Sequence, residues 1–207
     1  MVSIKNLKAI SARQDLKDLI LDAAERLLAL SGYKKLTMEE IAKEVGIGKG
    51  TIYLHYDSKE ALILAHIDRI VHRLKGRLFA IAHSNGSGSE RIRKMLLLRV
   101  LFRFDDIQHY AKGLGELLVA IHPALVERRQ RYFEEEAQIV AEVLREGERA
   151  GEFEFADSVA TAHVLVAATN SFLPFDLSVN ELGSRKELER KTQAVADLLI
   201  RGLVKSK

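Results

Sequence analysis

The sequence has no cysteine and only two prolines, Pro123 and Pro174, among its 207 residues. The absence of cysteine excludes a disulfide framework, cysteine-ligated zinc and thiol catalysis. So few prolines, with only 13 glycines, disfavour an all-β protein that needs many turns. No apolar run reaches the roughly 18 residues of a membrane-spanning helix, and the polar start lacks the apolar core of a signal peptide. We therefore expect a cytoplasmic protein with no membrane partner.

Charge is nearly balanced over the chain but uneven along it. The net charge is +3, which is too small to indicate nucleic-acid binding by itself. Residues 67–103 hold nine Lys or Arg against two acidic residues, whereas residues 104–155 hold six against twelve. We interpret these blocks, including the three consecutive glutamates at 134–136, as solvated helix faces.

Apolar residues recur at steps of three and four through most of the chain, as on one face of an amphipathic helix. No alternating strand pattern and no internal repeat is found, and residues 84–89 are expected to form a flexible loop. We therefore predict an all-α protein with about nine helices. They are expected at about 12–31, 38–45, 49 onward, 58–83, 90–104, up to 121, 123–150, 157–172 and 184–203.

Two short helices are expected to meet across a glycine turn between Ile41 and Tyr56. Thr37 and Glu40 have capping-box spacing before the first helix, and Gly46 can adopt the positive φ of a bend. This is the pattern of a helix-turn-helix, whose second helix enters the major groove of DNA. The residues that open that helix, and so meet base edges first, are Lys49, Gly50 and Thr51.

The segment from about residue 20 to 65 resembles the TetR family of transcriptional regulators. The resemblance lies in four runs, Ile20–Ala24, Leu36–Ala42, Gly46–Tyr56 and Ser58–Leu62. It implies a helix-turn-helix DNA-binding head at residues 1–57 and a helical ligand-binding and dimerisation domain at residues 58–207. It also implies a homodimer that represses from an inverted-repeat operator on double-stranded DNA, and release by a small apolar or amphipathic effector.

The same resemblance assigns DNA-binding roles to single residues. Thr51, Tyr53, His55 and Lys59 occupy positions that the family uses on phosphates, and Lys59 also lies in the first turn of a helix, which attracts anions. Lys49 matches a base-reading position and can pair with guanine. For Tyr56, packing and DNA contact both stay open. The expected DNA-binding residues are Thr37, Lys49, Gly50, Thr51, Tyr53, His55, Tyr56 and Lys59.

Two further sets of residues are expected in the C-terminal domain. The first lines a ligand cavity or, with equal weight, forms plain core; the second forms a four-helix dimer seam from the last two helices. The cavity set is Met95, Phe102, Phe104, Leu117, Leu118, Ile121, His122 and Tyr132. The seam consists of Val159, Ala162, His163, Val166, Ala167 and Asn170 on one helix and Val195, Leu198, Leu199, Gly202 and Leu203 on the other.

Other function classes are disfavoured. The seven histidines are scattered along the chain, so we expect no metal site, and we expect no cofactor because the glycines of the turn lack dinucleotide-binding spacing. No catalytic motif is found, so an enzyme is not expected. A constitutive DNA-binding protein without a ligand stays the alternative, and an apolar cavity with convergent polar groups would decide between the two.

Overall fold

In a computed structural model of the chain, residues 4–108, 114–173 and 183–205 are described. These residues are mostly helical, and their β pairing is one isolated bridge between Phe153 and Val204. The prediction of an all-α fold is confirmed, and the expected helix count is close. Besides a 3-10 turn at Asn170–Phe172, the described residues form α1 (Ile4–Ser31), α2 (Met38–Val45), α3 (Lys49–Tyr53), α4 (Lys59–Ala82), α5 (Gly88–Gln108), α6 (Leu114–Arg149), α7 (Ser158–Ala168) and α8 (Arg185–Arg201).

Pro123 lies inside a helix and not at the start of one. The prediction of separate helices before and after it was wrong, because α6 runs unbroken from Leu114 to Arg149. A proline removes one backbone donor and crowds the carbonyl four residues earlier, which strains a helix without always ending it. Pro123 nevertheless marks a boundary between the two compact units. The part of α6 up to His122 belongs to the first unit, and the part from Pro123 onward belongs to the second.

The first compact unit comprises, among the described residues, 4–69 and 114–122. In it α1, which begins at Ile4 and not near residue 12, packs against α2, and α2 packs against α3. The unit ends inside α4, after Arg69, whereas the sequence predicted a boundary at residue 57. Its fully buried side chains include Ile20, Leu36, Ile41, Ile52 and Leu62.

The second compact unit comprises the described residues of 70–108 and 123–205. Its core is built from apolar side chains of α4 to α8 and of Phe153. The Phe153 ring occupies space that exists only because two neighbours are glycines. A Cβ on Gly147 would lie 2.3 Å from the ring, and one on Gly88 would lie 2.6 Å from it. Both glycines are therefore needed for this close packing.

The segment expected to be a flexible loop is a short turn that leads directly into α5. α5 begins at Gly88, within that segment. The carboxylate of Glu152 accepts hydrogen bonds from the backbone N–H groups of Gly88 and Ser89, at 2.7 and 2.8 Å. Ser87 caps the same helix by accepting from the N–H of Glu90 at 3.2 Å. These bonds satisfy donors that a helix start would otherwise leave unpaired.

A buried cluster of charged side chains joins three helical segments of the second unit. Arg99 and Arg103 lie on α5 and Glu136 lies on α6, and the side chains of Arg99 and Glu136 are fully buried. Arg99 Nε donates to Glu136 at 2.9 Å, and Arg103 donates to the other carboxylate oxygen. Arg99 also donates to the side chains of Thr169 and Asn170. The cluster contains two cations and one anion.

The cluster corrects the interpretation of residues 134–136 as a solvated face, because Glu136 points into the core. Burial alone would raise the pKa of Glu136, but the charges and hydrogen bonds of Arg103 and Arg99 outweigh it and hold the pKa below its ordinary value. Burial lowers the pKa of Arg99 to about 10, against the opposing charge of Glu136. A signal was present in the sequence, since two arginines four residues apart on an apolar helix need a buried partner.

The opposite charge blocks of the sequence also pair in the second unit. Basic side chains of α4 and α5 bind acidic side chains of α5 and α6, so much of the expected solvated charge is used within the fold. Most of these pairs are partly exposed and each stabilises little. They are Arg73–Asp106 at 3.6 Å, Lys75–Glu135 at 2.5 Å and Arg91–Glu146 at 2.7 Å.

Candidate nucleic-acid interface

The helix-turn-helix is fixed at both ends of α2. The Thr37 hydroxyl accepts from the backbone N–H of Glu40 at 3.1 Å, and the Glu40 carboxylate accepts from the backbone N–H of Thr37 at 3.0 Å. This is the predicted capping box, and it occupies the Thr37 hydroxyl, so a DNA contact by Thr37 stays a prediction. At the other end Gly46 has φ 78°, in the left-handed region that favours glycine. The backbone then turns directly into α3.

α3 is held by one buried side chain, and most of its other residues are exposed. Ile52 is fully buried, which anchors a helix of only five residues. Lys49 and Gly50 are exposed at its start. Tyr53 is 42% exposed and Leu54 is 76% exposed. Large apolar side chains this exposed next to a lysine form a surface suited to contact with base edges and thymine methyl groups.

Lys49 is held by a carboxylate from the neighbouring helix. Its ammonium group donates to Oε1 of Glu39, which lies in the first turn of α2. Both side chains are more than half exposed. The hydrogen bond from Lys49 lowers the pKa of Glu39, and the same bond raises the pKa of Lys49. The expected base-reading lysine is thus paired within the protein, which its sequence position did not indicate.

Lys59 lies at the start of α4 but is directed toward Tyr33. Its Nζ donates to the Tyr33 carbonyl at 3.1 Å and lies 4.0 Å from the centre of the Tyr33 ring. The Tyr33 hydroxyl donates to Glu60 at 2.6 Å. Burial and this hydrogen bond raise the pKa of Tyr33, and the bond lowers that of Glu60. Lys59 therefore links α4 to the segment before α2, and its phosphate contact stays a prediction.

The aromatic residues after α3 differ in exposure. Tyr56 is 8% exposed, and burial raises the pKa of its hydroxyl to about 12. Burial of this side chain favours packing, and a DNA contact by Tyr56 stays a prediction. His55 and Thr51 are half-buried, whereas Tyr53 is exposed. The structure therefore brings Lys49, Gly50, Thr51 and Tyr53 together on α3, with His55 two residues beyond.

Two family models match the chain. Residues 20–66 match the description "Bacterial regulatory proteins, tetR family", and residues 89–196 match "Tetracyclin repressor-like, C-terminal domain". The second match alone covers more than half of the chain. The chain belongs to the TetR family. The first match contains α2, α3 and the turn between them, so the family model covers the helix-turn-helix assigned from sequence.

Curated relatives of this TetR-family chain match it over less than half of its length. The regulator BetI of Rhizobium meliloti is 33% identical over 87 residues, which are 42% of each chain. YuxN of Bacillus subtilis, an uncharacterised regulator, is 36% identical over 78 residues, which are 38% of this chain and 27% of that protein. The chain thus spans less than half the length of these relatives.

Solved structures of regulators share the whole fold. A transcriptional regulator from Cytophaga hutchinsonii superposes with a TM-score of 0.75 at 23% identity, over 91% of this chain and 98% of that one. A TetR transcription regulator from Haloarcula marismortui gives a TM-score of 0.71 at 19% identity, over 93% and 100%. A regulator from Saccharomonospora viridis in complex with choline gives 0.66 at 22% identity, over 93% and 100%. At these identities the likeness shows the fold.

The residues expected to line a ligand cavity divide between the two compact units. In the second unit Met95, Phe104 and Tyr132 are buried, and Met95 belongs to the main core. Phe102 is half-buried, and the guanidinium carbon of Arg77 lies 4.9 Å above the centre of the Phe102 ring. The first unit holds buried Leu117 and Ile121, half-buried Leu118, and exposed His122. Whether this set lines a ligand cavity stays a prediction.

The expected dimer residues include some that belong to the subunit's own core. Val166 is 2% exposed, and Leu199, Leu203 and Val159 pack against the same core. His163 is half-buried, with Nε2 3.0 Å from a Glu134 carboxylate oxygen. The seam expected from these residues stays a prediction. The outward faces of the two helices present Val164 and Leu198, 60% and 68% exposed, with small neighbours Ala160, Ala167, Ala194 and Gly202 and half-buried Val195.

The described residues provide neither a membrane-spanning helix nor a cluster of metal ligands. None of their helices combines the length and apolar character needed to cross a membrane. In the same part of the chain, no three histidine or acidic side chains converge as they would around a metal ion. A surface hollow beside α8 is lined by polar residues between Ser184 and Gln193, most of which are exposed.

Proposed function

We propose that the chain is a sequence-specific DNA-binding repressor that acts in the cytoplasm and leaves its operator when a small molecule binds. The observation that supports DNA binding is the exposed face of α3 in a TetR-family chain. Lys49 and Tyr53 on α3, and Leu54 directly after it, are exposed, while Ile52 and the turn at Gly46 anchor this short helix. Such a helix fits the major groove and offers both a donor and apolar contacts to base edges.

Selection of bound fragments from random DNA tests this function. We expect an inverted repeat to be enriched, because operator symmetry mirrors the symmetry of a dimer. Lys49→Ala should then weaken binding to the selected operator by about 1–3 kcal/mol for each base contact. Its effect on scrambled DNA should be smaller, since only a charge is lost there. If no sequence is enriched, sequence-specific binding is refuted.

Homodimerisation through α7 and α8 is part of the same proposal. Val164 and Leu198 are exposed branched side chains flanked by small residues. Small flanking residues let two helices approach closely, so two copies of this face can pack around a twofold axis. The two heads of such a dimer would meet successive major grooves of one inverted repeat.

Release by an effector is proposed for the second unit. The supporting observation is that a regulator of the same fold, from Saccharomonospora viridis, is in complex with choline. A ligand displaces a repressor only if it prefers the dimer geometry that does not bind DNA. Screening small apolar and amphipathic compounds for loss of operator binding tests this step. If the regulator stays bound to its operator in the presence of every compound that stabilises its fold, the result would support the alternative of a constitutive DNA-binding protein.

A further inference from the structure

Glu39 is the carboxylate that binds the expected base-reading lysine, Lys49, although its sequence position indicates no DNA-binding role. It lies in the first turn of α2, ten positions before Lys49, and is exposed. The backbone N–H groups at that helix start favour a negative charge there. The turn at Gly46 brings this carboxylate onto the ammonium group of the first residue of α3.

We propose that Glu39 is a specificity-determining positioning residue, which competes with DNA phosphates for the ammonium group of Lys49. This inference rests on the proposed DNA-binding function. When Lys49 leaves Glu39 to bind a DNA phosphate, it exchanges one anionic acceptor for another, so the exchange gains little binding energy. It also leaves the Glu39 carboxylate close to the phosphate, and the two negative charges repel each other. Guanine offers the O6 and N7 acceptors in a fixed geometry without a formal negative charge. The pair therefore weakens binding to arbitrary DNA more than binding to the operator.

The surroundings of the pair support this role over a purely structural one. The fold does not depend on the pair, because α2 is already capped by Thr37 and Glu40, and α3 is anchored by Ile52. Both members are more than half exposed, so the pair adds little stability. It lies instead on the exposed surface that would face a base edge.

The variant Glu39→Gln separates these effects, with Glu44→Gln as a matched control. Glu44 is exposed on the same helix and pairs with Arg26 at 3.1 Å. We expect Glu39→Gln to strengthen binding to scrambled DNA and to lower the ratio of operator to scrambled affinity. Its salt slope on scrambled DNA should steepen by about 0.9 for each Lys49 that now contacts a phosphate. Each such contact therefore adds an affinity loss of about 3.5-fold between 50 and 200 mM salt. Glu44→Gln should change both affinities equally.

Two further measurements make the outcome decisive. In a Lys49→Gln background, Glu39→Gln should no longer alter the affinity ratio; if it still does, Glu39 acts on DNA directly and the proposal is overturned. In the free protein, an NMR titration should show a higher pKa for Glu39 in Lys49→Gln than in the wild-type chain, and equal pKa values would also overturn the proposal.

The failure of this inference and the failure of the proposed function are distinguishable. A wild-type chain that enriches no operator refutes the proposed function, whereas an unchanged ratio of operator to scrambled affinity in Glu39→Gln refutes only this inference.

Discussion

Replacing Glu136 by glutamine leaves two buried guanidinium groups without a counter-charge. In the native structure the carboxylate accepts from Arg99 at 2.9 Å and from Arg103, and Arg99 has no exposed surface. Removing one partner of a buried ion pair costs about 3–5 kcal/mol, because the remaining charge stays desolvated. Here the remaining charge is double, so we expect Glu136→Gln to lower the free energy of unfolding by an amount within or above that range.

The stabilisation by Glu136 should depend on pH in a defined direction. Arg103 and Arg99 hold its folded-state pKa below the ordinary value, even though burial acts in the opposite sense. The contribution is therefore complete above the unfolded-state pKa of about 4.3 and is lost as the pH falls through the folded-state value. The stability difference between the wild-type chain and Glu136→Gln should be constant near neutral pH and shrink below about pH 4.

Urea unfolding followed by circular dichroism at one protein concentration measures both effects. With an m value of about 2 kcal/mol/M, a loss of 3–5 kcal/mol lowers the midpoint by about 1.5–2.5 M. Glu134→Gln is the matched control, because its side chain is 51% exposed and pairs only with His163 among the ion pairs described. That variant should lose less than about 1 kcal/mol. Equal midpoints for the two variants would refute a stabilising role for the buried cluster.

Three further substitutions test the turn, the core and the dimer seam. Gly46→Ala places a Cβ on a backbone with φ 78° and should cost about 1–2 kcal/mol of stability, seen as a lower Tm; an unchanged Tm would contradict the strain assigned to this turn. Gly147→Ala places a Cβ 2.3 Å from the Phe153 ring, so we expect a loss of about 1–3 kcal/mol, partly restored by adding Phe153→Leu. Leu198→Glu alters a side chain that is 68% exposed, so sedimentation should show folded monomers, and a dimer that persists at low micromolar concentration would exclude this seam.

Local sequence signals were enough to predict the helix-turn-helix. Thr37 and Glu40 are three residues apart, and a capping box depends only on that spacing. Gly46 takes the left-handed backbone expected of it, and the apolar steps of three and four predicted the helical class. These features involve atoms within about one helical turn, so the sequence alone carries the information needed to predict them.

Contacts between distant helices were decided by the tertiary structure alone. Glu39 meets Lys49 across the turn, and Arg99 meets Glu136 over 37 positions, but periodicity does not show which helix faces meet. For the same reason three consecutive glutamates appeared equivalent, although only Glu136 among them is buried. On α8, Leu198 and Leu199 are equally apolar in sequence, yet one is exposed and the other packs on the core. Burial depends on the neighbours that the fold brings together, and those neighbours are remote along the chain.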